Sequence, residues 1–166
     1  MNVAVNLERA AFFFPDRPAL SSLRRELTYG ELNEKTGLLA AVLLNMGLKP
    51  GEHVVLCAGN SLDWVITYFG VLKAGGVVVT LSSLLSFDEL SLLAHHAKPR
   101  FVFTDNVQGF ERLKVPSEAI VGPGGDMDLD GLIERAPGRL ESVDRLMTDA
   151  AAVLYTGGTT GTPKGV

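Results

Sequence analysis

Cysteine is nearly absent from this sequence. The single Cys57 excludes an internal disulfide framework and a cysteine-rich zinc site. Its neighbours, Val54-Val55-Leu56, read as a buried strand in a reduced, cytoplasmic setting. A surplus of positive charge is missing too. Fifteen Lys and Arg stand against 19 Asp and Glu, a net charge of −4, which argues against a nucleic-acid binder driven by a basic surface. The longest apolar run, Leu38 to Leu44, falls far short of the 18 or so residues a membrane-spanning helix needs. Ala10-Ala11-Phe12-Phe13-Phe14 is no export signal, because Glu8 and Arg9 precede it, Pro15-Asp16 ends it, and no small-residue cleavage site follows. Internal repeats and low-complexity tracts are absent as well. What is present is ordinary for a globular protein: 46% hydrophobic and 20% charged residues, which excludes intrinsic disorder. The 166 residues suit one domain. A soluble, cytoplasmic chain is expected.

Two helix starts are written clearly. Thr28-Tyr29-Gly30-Glu31 and Ser86-Phe87-Asp88-Glu89 are capping boxes, in which a hydroxyl accepts the amide three residues on and the glutamate reaches back. Leu32, Leu39, Val42, Leu43 and Met46 give the first helix its apolar stripe, and Gly47 ends it. Leu90, Leu93, Ala94 and Ala97 do the same for the second, which Pro99 closes. Between them a helix from Leu62 to Ala74 buries Leu62, Val65, Ile66, Phe69 and Leu72 and stops at Gly75-Gly76. Short apolar runs at His53 to Cys57, Val77 to Leu81, Arg100 to Thr104, Glu118 to Val121 and Ala151 to Tyr155 read as strands. Ala19-Leu20 and Glu26-Leu27 suggest a small hairpin, and a short helix is expected around Leu129 to Arg135. Near-continuous apolar strands alternating with amphipathic helices predict an α/β fold, with a largely parallel sheet flanked by helices on both faces.

The chemistry is concentrated at the end. A buried strand, Ala151 to Tyr155, runs into Thr156-Gly157-Gly158-Thr159-Thr160-Gly161-Thr162-Pro163-Lys164-Gly165, with four glycines, four threonines and one lysine. Glycines let backbone amides turn inward and a ligand approach closely. Threonine hydroxyls add neutral donors, and Lys164 adds a mobile point charge suited to phosphate oxygens. Pro163 gives up one amide and stiffens the loop. The segment is an oxyanion cradle for the outer phosphates of a nucleotide or for leaving pyrophosphate. It is not a Walker A loop, which needs Gly directly before Lys and Ser or Thr directly after.

Tyr155 to Gly165 resembles the phosphate-binding loop of the adenylate-forming superfamily, Tyr-Thr-Ser-Gly-(Ser/Thr)-Thr-Gly-x-Pro-Lys-Gly. That superfamily comprises acyl-CoA synthetases, peptide-synthetase adenylation domains and luciferases. Gly157 replaces the Ser, which removes one hydroxyl and is familiar among fatty acyl-CoA ligases. Leu27-Thr28-Tyr29-Gly30-Glu31-Leu32 is similar to the first family motif, although a capping box alone explains it. Leu72-Lys73-Ala74-Gly75-Gly76 through Leu81 resembles the second motif, with Thr80 in place of the usual Pro; a helix stop before a buried strand also accounts for it. Pro15-Asp16-Arg17-Pro18-Ala19-Leu20 looks like the opening of such an enzyme.

The resemblance implies a two-step ligase. A carboxylate attacks the α-phosphate of Mg-ATP to give an acyl-adenylate and pyrophosphate. A thiol, usually CoA, then displaces AMP. By analogy Thr156, Gly157, Gly158, Thr159, Thr160, Gly161, Thr162 and Lys164 hold the β- and γ-phosphates, and Thr156 is also a magnesium ligand. The valine-rich Val77-Val78-Val79 and the following Leu81 to Ser86 resemble the acyl-CoA group, so a fatty acid is the favoured carboxylate. An amino-acid or aryl-acid adenylation domain is the alternative. A phosphate-binding module without ligase activity and a non-catalytic structural fragment are others.

On this reading residues 1–148 are a first α/β subdomain and 149–166 the strand plus phosphate loop of an N-terminal AMP-binding domain. The family's adenine, ribose and magnesium residues and its C-terminal lysine lie later than Val166. No catalytic residue is therefore assigned here, and residues 1–166 alone are expected to be inactive. Self-association, or pairing with the later part of such an enzyme, is expected to cover the strand edge near Tyr155.

The remaining polar candidates carry less. His95 and His96 are adjacent on a helix and face different directions, which suits a surface or partly buried role better than a metal site. His53 borders a strand. Trp64, Tyr68 and Phe69 have core spacing. Asp126, Asp128 and Asp130 alternate as in a calcium loop, but Pro137 occupies the position where its closing glutamate belongs.

Overall fold

The computed structural model describes residues 1–23, 25–156 and 164–165. In chain order it has α1 (Val5–Phe13), β1 (Pro18–Ser21), β2 (Glu26–Thr28), α2 (Tyr29–Asn45), β3 (His53–Cys57), α3 (Leu62–Lys73) and β4 (Val77–Thr80). These are followed by α4 (Phe87–Ala97), β5 (Phe101–Thr104), α5 (Val107–Leu113), β6 (Ala119–Val121), α6 (Leu129–Glu134), β7 (Ala152–Thr156) and β8 (Lys164–Gly165). No helix among the described residues is long and apolar enough to cross a membrane.

β1 and β2 form the expected hairpin. The main sheet has the order β6-β5-β3-β4-β7-β8. Its first five strands are parallel, and β8 runs antiparallel to β7. The strand period of two sorts the core. Val54, Leu56, Val78, Phe101 and Phe103 pack with α1, α2, α3 and α6 on one face. Val55, Cys57, Val79 and Val102 pack with α4 and α5 on the other. Helices therefore cover both faces, as the continuous apolar strands require.

Both capping boxes form. The Glu31 amide donates to Thr28 Oγ1 at 3.2 Å, and the Thr28 amide donates to Glu31 Oε2 at 2.8 Å. Ser86 and Glu89 repeat the arrangement at 3.0 and 3.4 Å. Gly47, at φ +91°, ends the first of these helices.

Two helices carry no sequence signal of this kind. α1 has no side-chain cap and buries only Leu7 and Ala11, while Phe12, Phe13 and Phe14 point outward. α5 is only seven residues long, interrupted by Gly109 and capped by Asn106. The buried stripe of α3 also differs from expectation. Thr67, Gly70 and Lys73 are buried with Ile66, Val71 and Leu72, whereas Leu62, Val65 and Phe69 are only partly covered. Trp64 and Tyr68 likewise lie at the core margin, stacked on each other at 5.2 Å.

Lys73 has no exposed surface. Its ammonium donates to Asn33 Oδ1 at 2.6 Å and lies 3.3 Å from Glu8 Oε1. The same Glu8 oxygen accepts from the amide and hydroxyl of Ser142, at 2.7 and 2.6 Å. Asn2 Nδ2 donates to the carbonyls of Leu72 and Val143, and the Val143 amide donates to Lys73 O. One polar cluster thus fastens α1, α2 and the stretch before β7 to the end of α3.

Candidate functional site

The site begins where β7 outruns its neighbour. Val78, Val79 and Thr80 of β4 pair with Ala152, Val153 and Leu154, and β4 then ends. Tyr155 and Thr156 continue past it and pair instead with Gly165 and Lys164 of β8. A Cβ on Gly165 would lie 2.9 Å from Val153 Cγ1, so a residue without a side chain lets β8 settle against β7. Thr156 and Lys164, the outer members of the predicted cradle, are thereby brought opposite each other in register. Gly157, Gly158, Thr159, Thr160, Gly161 and Thr162 fall outside the described residues.

The start of this segment is braced from the side. Tyr155 Oη lies 2.7 Å from His96 Nδ1, in the last turn of α4, and the two rings meet edge to face at 5.8 Å. Burial pushes the Tyr155 phenol above its ordinary range, so it stays neutral. Its place beside His95 on a helix suggests only a surface or partly buried role for His96. Its partner is 59 positions away, and nothing in local spacing joins them.

The other candidates have structural duties. His53 Nδ1 lies 2.7 Å from Ala97 O and ties β3 to α4. Asp128 caps α6 by accepting the Gly131 amide at 2.7 Å. Burial, with Asp105 nearby, pushes the Cys57 thiol up to about 11. That leaves it protonated and a poor nucleophile. Among the described residues no three His, Cys, Asp or Glu side chains gather as a metal-holding group.

The comparisons agree with this architecture. The chain is 32% identical over 151 residues to a nonribosomal peptide synthetase of Aspergillus flavus, covering 91% of this chain and 13% of that protein. It is 31% identical to a medium/long-chain-fatty-acid–CoA/3-oxocholest-4-en-26-oate–CoA ligase of Mycolicibacterium smegmatis, covering 100% of this chain and 33% of that one. Among solved structures, an anthranilate CoA ligase in complex with anthranoyl-AMP superposes with a TM-score of 0.93 at 27% identity, over 100% of this chain and 33% of that chain. A long-chain-fatty-acid–CoA ligase from Archaeoglobus fulgidus superposes at 0.86 with 25% identity, over 100% and 36%. The chain spans a third or less of the curated relatives it matches. The AMP-binding enzyme family matches residues 7–166, and the chain belongs to that family.

Proposed function

We propose that this chain supplies the pyrophosphate-side phosphate cradle of an ATP-dependent acyl-CoA ligase. One observation carries the reading. β7 and β8 bring Thr156 and Lys164 into register at the carboxyl end of a parallel strand, within a chain of the AMP-binding family. Residues 1–148 act as the scaffold and residues 149–166 as the strand and loop. Amides, hydroxyls and Lys164 bind the β- and γ-phosphates of ATP and stabilise the charge that gathers there as the α-phosphate is attacked. Thr156 would hold magnesium there, which would supply neutralisation of part of that charge. Tyr155, kept neutral and braced by His96, orients the strand from which the cradle springs.

The favoured carboxylate is a fatty acid and the favoured thiol CoA, in a cytoplasmic setting. The valine-rich β4 and its following segment support this, as do ligases of that kind among the relatives. Peptide synthetases among the relatives support the alternative, an amino acid or aryl acid carried as its adenylate without CoA. We expect residues 1–166 alone not to complete the reaction; they span about a third of the ligases they resemble.

ATP–pyrophosphate exchange tests both points. The gene's complete reading frame is expected to exchange with fatty acids, and exchange with amino acids alone replaces the fatty-acid reading. Residues 1–166 are expected to give none. Lys164→Ala in the complete product is expected to weaken exchange about a hundredfold, mainly through ATP affinity. Unchanged exchange removes Lys164 from the cradle.

A further inference from the structure

The two histidines at the end of α4 have different duties. His95 Nδ1 lies 2.8 Å from Ser91 O, four residues back in the same helix, and so serves α4 alone. His96 Nδ1 instead leaves the helix and meets Tyr155 Oη at 2.7 Å. α4 is itself fixed at that end. His53 of β3 bonds to its Ala97 carbonyl. Leu93, Ala94 and Ala97 are buried on the face of the sheet to which Val153 and Tyr155 belong. In the sheet β3 and β7 stand on either side of β4. The last turn of α4 is thus fastened to β3 through Ala97 and to β7 through His96.

Tyr155 passes this constraint on to β8. It is the register partner of Gly165, and its ring lies against that residue. A Cβ placed on Gly165 would stand 3.4 Å from Tyr155 Cε1, 3.7 Å from Tyr155 Cζ and 2.9 Å from Val153 Cγ1. Tyr155 and Val153 therefore make the seat on which Gly165 rests. Cζ is the atom that carries the hydroxyl, so the bond that fixes the hydroxyl also fixes the seat. Lys164 is the next residue along β8, opposite Thr156.

We infer, on the reading of this segment as a phosphate cradle, that His96 is a positioning residue for it, acting through the Tyr155 ring on β8. Among the described residues the one side-chain hydrogen bond of His96 goes to Tyr155, so its influence runs through that ring. With the bond in place the ring keeps one orientation, and β8 docks in the register that sets Lys164 opposite Thr156. Without it the ring is free to turn about its side-chain torsions, and Gly165 loses a fixed floor. Small displacements of a binding group are costly when the site depends on preset geometry. The loss falls on nucleotide binding and spares the carboxylate. A helix that lends no residue to the loop thereby sets how well the loop holds ATP.

ATP–pyrophosphate exchange by the product of the complete reading frame tests this, with KM and kcat separated. His96→Ala and Tyr155→Phe are each expected to raise the KM for ATP about fivefold. The kcat and the KM for the carboxylate are expected to change less than about twofold. The double variant is expected to show the same loss as either single one, because both remove one bond. His96→Asn keeps a hydrogen-bonding atom at the δ1 position without the ring, and is expected to restore the KM for ATP to within about twofold. His96→Phe keeps the ring edge without the bond, and is expected to behave like His96→Ala. A merely structural role lowers kcat through loss of active enzyme and leaves KM where it was. Tyr155→Phe removes a single oxygen atom, so the test stands even where His96→Ala does not fold. Three results overturn the proposal: an unchanged KM for ATP in Tyr155→Phe, losses that multiply in the double variant, or rescue by His96→Phe in place of His96→Asn. Lys164→Ala in the same assay separates the two readings. If it weakens exchange while Tyr155→Phe does not, the role of His96 alone falls; if it too has no effect, the cradle falls with it.

Discussion

Lys73 shows how much one side chain can organise. Burial lowers the basicity of its ammonium, and Glu8 only partly offsets this. Glu8 is pushed up by burial, but the two hydrogen bonds from Ser142 and the charge of Lys73 prevail, leaving its carboxyl below the ordinary 4.5. Removing the cation strands Glu8 and Asn33. Lys73→Met is therefore expected to destabilise the fold by roughly 3 kcal/mol, read as a lower urea midpoint. Glu8→Gln in the same chain is expected to recover part of that loss, because the cluster then holds no unpaired charge. The pH dependence follows from the sign of the Glu8 shift. The unfolded chain binds this proton more readily, so the stabilisation is fully present above pH 4.5 and is lost as pH falls through the depressed folded value. Urea midpoints between pH 6 and pH 3, measured beside Glu8→Gln, are expected to show a shallower acid decline in the variant. None of this was legible in the sequence. Lys73 sits in a stretch that reads as a helix stop, and its side-chain partners Glu8 and Asn33 lie 65 and 40 positions before it.

At the scale of the element, legibility followed local chemistry. α2 and α4 are readable because a capping box is a contact between residues three apart, and the chain displays it directly. Ser86→Ala and Thr28→Ala are each expected to cost about 1 kcal/mol, measured by thermal or urea unfolding. α1 and α5 are unreadable for the opposite reason. Their helicity comes chiefly from packing Leu7, Ala11, Val107, Phe110 and Leu113 against the rest of the protein; α1 has no side-chain cap, and the Asn106 cap of α5 opens a helix too short to show a stripe. The phenylalanine run in α1 misleads further, since its most apolar residues are its most exposed. Gly122 marks another tertiary constraint. A Cβ there would come within 1.9 Å of Thr104 O, a collision across β5 and β6 that only the folded sheet reveals.

At the scale of the molecule, the parallel sheet was foreseeable from five short apolar runs, each followed or preceded by helical spacing. Strand order was not, because β3 becomes central only when the connections are laid on alternate faces. The candidate site divides in the same way. Its loop composition is visible in the chain, whereas the His96–Tyr155 brace and the β7–β8 register are tertiary. Hydrogen exchange provides a whole-molecule check. Amides of β3, β4 and β5, each flanked on both sides, are expected to exchange at the global unfolding rate, and those of β6 and β8 faster.

The cluster around Asn2 has a consequence in time. Asn2 donates to Val143, 141 residues later in the chain. At a ribosomal rate of about 5–20 residues per second, Asn2 waits roughly 7–28 s for Val143 to be made, and about half as long for its other acceptor, Leu72. Throughout synthesis of the sheet the N-terminal helix has no anchor at the far end of the chain. The contacts of α1 and Asn2 therefore close in two stages, first with Leu72 and Lys73 at the end of α3 and only later with Ser142 and Val143.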